Sequence, residues 1–116
     1  MKKRDVVIPI FNNEYKVIVC WGDLKHVRKV MKDWGYDRLA ESKDIDRRRG
    51  ATFYAEECHP VIALPRFPKT PEEIGTLAHE ATHAVLNIFQ KIDESYYDEV
   101  FAHSVGAVVR EVLKCK

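Results

Sequence analysis

No apolar run in these 116 residues approaches the ~18 that a membrane span requires. An excess of one charge is missing too: 19 lysines and arginines stand against 18 aspartates and glutamates. A chain so balanced has no general pull toward nucleic acid or an anionic membrane. Arg47-Arg48-Arg49 is one short basic cluster with no recognisable reading helix, so DNA binding is not expected. Cysteine is scarce, and Cys20, Cys58 and Cys115 are odd in number and far apart. That argues against a disulfide framework and for free thiols in a reducing compartment. The opening MKKRDVVIPIF has the basic start of a signal peptide, but its apolar run gives way to Asn12-Asn13-Glu14 without a small-residue cleavage site. A cytoplasmic location is expected.

What is present is the composition of an ordinary globular protein, 46% hydrophobic and 32% charged. One domain spanning 1–116 is expected, with no repeats and no linker. VVIPIF and YKVIVCW read as two β-branched strands joined by a short turn. Asp23 then suits an N-cap, and Leu24, Val27, Val30, Met31 and Trp34 repeat at helical spacing until Gly35. The polar segment DRLAESKDIDRRRG reads as a solvated loop with at most a turn of helix. ATFYAEE and VIAL bracket Cys58-His59-Pro60 and form a second strand pair.

The second half is helical. Thr70-Pro71-Glu72-Glu73 combines a capping threonine, a proline at the first helical position and a glutamate that completes a capping box. Ile74, Leu77, Ala78, Ala81, Ala84, Val85, Ile88 and Phe89 follow as a broad apolar stripe, so most of this helix is buried. Ser95 and Asp98 can cap a last helix, whose apolar face is Phe101, Val105, Val108, Val109 and Val112. Its other face carries Tyr96, Glu99, His103, Gly106 and Arg110. A short connection makes the two helices antiparallel neighbours.

On the first of them stands His79-Glu80-Ala81-Thr82-His83. Residues four apart lie one above the other, so the two imidazoles can grip one metal ion. Glu80 projects about 100° around the axis, away from that pair but within reach of a metal-bound water. Two histidines alone bind metal weakly. Glu99 or His103 on the facing helix can supply a third ligand and leave a fourth position open, which is the catalytic arrangement. His26 and His59 read as surface histidines, and Cys58 as an inert thiol at a strand end, although a thiolate there could cap the metal.

His-Glu-Ala-Thr-His followed by a helix bearing Glu99 resembles the gluzincin zinc metallopeptidases. The chain's brevity is similar to that of the minigluzincins and related small phage-type metallopeptidases. The hard motifs of the resemblance cover residues 76 to 103, with a softer likeness back through 51 to 64. It implies a small α+β zincin-like domain: a short, mainly antiparallel twisted sheet packed on the active-site helix and a C-terminal glutamate helix. It implies one Zn²⁺ per chain held by His79, His83 and Glu99, with Glu80 as general base and acid in peptide-bond hydrolysis. Extended peptide would lie along the strand at 51–57, with Tyr96 or His103 as a further donor to the developing oxyanion. His103 departs from thermolysin-like relatives, which carry an aspartate there, so it stands as a supporting residue, a substrate contact or the third ligand itself. The metzincin pattern is excluded, because its glycine and third histidine would fall at Leu86 and Phe89. A different class of function competes: a non-catalytic or regulatory zinc-binding domain acting through a protein partner. Glu80 separates the two, since a structural site has no use for a carboxylate beside the water position.

Overall fold

The computed structural model describes residues 3–10, 14–42, 50–55, 58–91 and 98–116. The two β-branched runs become β1 (Asp5–Ile10) and β2 (Tyr15–Trp21), paired antiparallel with Val7 opposite Ile18. The expected Asn12-Asn13 turn lies outside the described residues. After β2, the Asp23 carboxylate accepts the His26 N–H at 2.9 Å and starts α1 (Leu24–Asp33). Gly35, at φ 94°, turns the chain out of that helix. A single helical turn, α2 (Asp37–Ala40), is the only regular element among the described residues of the polar segment.

β3 (Ala51–Phe53) and β4 (Val61–Leu64) pair antiparallel, with Thr52 opposite Ile62. β3 is shorter than ATFYAEE suggested: Tyr54 and Ala55 lie beyond the sheet, and 56–57 are outside the described residues. The sheet runs β1-β2-β4-β3, and β2 and β4 are parallel, Val19 facing Ile62. Two of its three pairings are thus antiparallel. The parallel one follows from the crossover through α1, which brings β4 back in the direction of β2.

Helices cover both faces. Val17, Val19, Ile62 and Leu64 pack on one side against Leu77, Ala81, Val85 and Ile88 of α3 (Pro71–Lys91) and Val108 and Val112 of α4 (Asp98–Leu113). Ile18, Cys20, Val61 and Ala63 point the other way, onto Val27, Val30 and Met31 of α1. Burial on both faces explains why β2 from Val17 onward and the whole of β4 are apolar instead of alternating. The molecule is a small α+β domain in three layers. The α3 start has the capping box expected of it: the Glu73 N–H donates to Thr70 Oγ1 at 3.1 Å and the Thr70 N–H to Glu73 Oε1 at 3.0 Å. No helix among the described residues is long and apolar enough to cross a membrane.

Candidate metal centre

Helical spacing puts Glu80 inside the buried stripe of α3, between Leu77 and Ala84, and leaves His79 and His83 exposed on its flank. The two imidazoles converge. Their Nε2 atoms are 3.2 Å apart, and the ring planes cross at 75°. Two nitrogens each about 2.0–2.1 Å from one tetrahedral zinc stand about 3.3 Å from each other, so the pair fits a shared ion.

Glu80 is only 9% exposed, and a buried carboxylate requires a partner. Thr52 supplies it from β3: its hydroxyl lies 2.8 Å from Glu80 Oε1 and 2.9 Å from the Glu80 carbonyl oxygen. The second carboxylate oxygen, Oε2, lies 3.8 Å from His79 Nε2. One oxygen of Glu80 is therefore tied to the sheet, and the other borders the histidine pair. Sequence reasoning treated 51–57 as a strand for substrate and missed Thr52. The available signal was alternation: Ala51 and Phe53 pack toward α1, which sends Thr52 to the α3 face.

Glu99 and His103 are both exposed on α4. Among the described residues, no group of three or more His, Cys, Asp or Glu side chains is gathered for a metal ion. The structure thus joins His79, Glu80 and His83 but does not bring Glu99 or His103 into one cluster with them. Tyr96 and Ser95 lie outside the described residues. Beside the motif, Ala78 and Thr82 line an open groove whose other wall runs from Phe101 of α4 to Lys114.

Two histidines read as surface residues have structural work instead. His59 Nδ1 accepts the Lys16 N–H at 3.2 Å, and its ring meets Trp34 edge to face. Burial pushes its pKa down, helped by the Lys16 and Lys91 charges. His26 Nε2 lies 3.1 Å from Asp5 Oδ2 and 3.2 Å from the Arg4 carbonyl oxygen, with little of its side chain exposed. Both were misjudged because their partners are distant in sequence. Cys58 packs against Gly35, and the Lys91 ammonium donates to its carbonyl oxygen. Lys91 is eight residues beyond His83, about 12 Å along the helix, so this thiol is placed toward the far end of α3 from the motif.

Compared with protein-family models, curated proteins and solved structures, the chain matches none.

Proposed function

We propose that this chain is a zinc-dependent peptidase, with His79 and His83 as metal ligands, Glu99 as the third and Glu80 as general base and acid. The observation that carries the reading is the placement of a buried glutamate with one free oxygen beside two convergent imidazoles. Zinc bound there would supply a Lewis acid that acidifies water to a pKa of ~7 and polarises the scissile carbonyl. Glu80 Oε2 takes a proton from the attacking water as the new C–O bond forms. The same carboxyl then passes that proton to the leaving amine as the C–N bond breaks. Among the described residues β3 stands at the edge of the sheet beyond β4, a place where an extended peptide could add by main-chain pairing.

The test is Glu80→Gln, assayed on unfolded or extended peptides with zinc present. The substitution keeps size and helix propensity and removes basicity. Zinc content and fold are expected to survive while cleavage falls by orders of magnitude, about 10²–10⁴-fold. Undiminished cleavage would remove Glu80 from the mechanism. Absence of cleavage by the zinc-loaded wild type across a broad peptide library would favour a regulatory zinc domain.

A further inference from the structure

We propose that Thr52 is a positioning residue for Glu80, fixing one carboxylate oxygen so that the other is presented beside the histidine pair. The proposal rests on the hydrolytic reading above and adds the device that aims its general base. Three observations carry it. Glu80 is buried, so its carboxylate needs a polar partner, and Thr52 is the partner in place at 2.8 Å. That contact engages Oε1 and leaves Oε2 as the oxygen nearer His79, at 3.8 Å. The third is the anchoring of Thr52 itself: β3 is hydrogen-bonded to β4, so the hydroxyl is set by the sheet and not by a mobile loop.

The choice of a hydroxyl has a chemical reason. Thr52 Oγ1 has one proton and two acceptors of Glu80 within reach, the carboxylate at 2.8 Å and the carbonyl at 2.9 Å. The hydroxyl can donate to either oxygen, so the Thr52 side chain is held against this one residue. Thr52 also belongs to the strand whose main chain is offered to the substrate. Removing its side-chain hydroxyl leaves that main chain intact, so the effect belongs in kcat and not in KM.

The experiment compares Thr52→Val, which keeps the shape and loses the hydroxyl, with Thr52→Ser, which restores it. Thr52→Ala serves in place of valine if the branched side chain disturbs the fold. Crystal structures of the wild type and both variants report the Glu80 side chain, alongside zinc affinity and peptide hydrolysis. Expected for Thr52→Val are a displaced or disordered Glu80 carboxylate, unchanged zinc affinity, and a kcat lower by about 10–100-fold with KM within about twofold. Thr52→Ser is expected to recover kcat to within about threefold of wild type, as for an outer hydrogen bond re-made. An unmoved Glu80 in Thr52→Val, or wild-type kcat in that variant, overturns the proposal and leaves the peptidase reading standing. If the wild type cleaves no peptide, the peptidase reading fails by itself. The Glu80 position in valine against serine still decides whether Thr52 holds the carboxylate.

Discussion

His79 and His83 lie one turn apart on α3 with their Nε2 atoms 3.2 Å from each other. Two protein states satisfy that distance, and they differ in where the protons are. In a hydrogen-bonded pair, one ring has its proton on Nε2 and donates to the other. Around a shared ion, both Nε2 lone pairs would point inward and both rings would have their proton on Nδ1. The separation is the same in both, so the two nitrogens are already close enough to share an ion.

Zinc should therefore bind at one ion per chain and change the tautomer of at least one ring. Histidine ¹⁵N spectra with and without zinc would show both Nε2 atoms metallated and both Nδ1 atoms protonated. His79→Ala and His83→Ala should each weaken binding beyond the ~10–100-fold loss typical of an outer-shell partner. Full zinc occupancy in His79→Ala protein would mean that the metal sits elsewhere.

His59 makes folding stability depend on pH. Burial first, then the Lys16 and Lys91 charges, holds its folded pKa below the ordinary value, and its Nδ1 accepts the Lys16 N–H only when unprotonated. The unfolded chain consequently takes up this proton first. The contribution of His59 is complete above about pH 6.5 and is lost as the pH falls through that value toward the depressed folded pKa. His59→Asn keeps an acceptor for Lys16 but cannot titrate. Urea midpoints at pH 7.5 and 5.5 should differ less in that variant than in wild type.

Gly35 is required by the exit from α1. Its φ of 94° is outside the range that residues with a Cβ adopt readily, and an added Cβ would stand 3.3 Å from Cys58 Sγ. Gly35→Ala should cost about 1–2 kcal/mol, mostly from backbone strain. Pairing it with Cys58→Ala should recover only the part due to the sulfur contact. Chemical denaturation of the two single variants and the double variant measures that share.

Local spacing accounts for what could be read from the sequence. Asp23 and His26, Thr70 and Glu73, and His79 and His83 are pairs three or four residues apart, and the structure forms all three contacts. Long-range pairing accounts for what could not. The runs VIVCW and VIAL are apolar throughout, which fits burial on both faces but does not say which strands are neighbours or that they run parallel. Thr52 and Glu80 are 28 residues apart, and their contact exists because β3 takes the sheet edge over α3. His59 likewise reaches back 43 residues to Lys16, which is why a sequence reading leaves it on the surface.

The third ligand is the remaining choice, and Glu99 is proposed on the motif's resemblance to gluzincins, not on a contact. Phe89 and Phe101 meet edge to face with ring centroids 5.6 Å apart, so the start of α4 lies beside the end of α3. Glu99 stands in that first turn and His103 one turn further on, both exposed. A carboxylate able to reach the histidines would complete a two-histidine, one-glutamate set and leave a fourth position for water. Glu99→Gln keeps the size of the side chain and removes its charge, so zinc affinity should fall strongly with the fold retained. His103→Ala should retain zinc and affect turnover alone, through substrate or oxyanion contact. Competition with a chromophoric chelator ranks the two variants directly. Weak zinc in His103→Ala beside tight zinc in Glu99→Gln would move His103 onto the metal and leave Glu99 as a first-turn carboxylate favoured by the helix dipole.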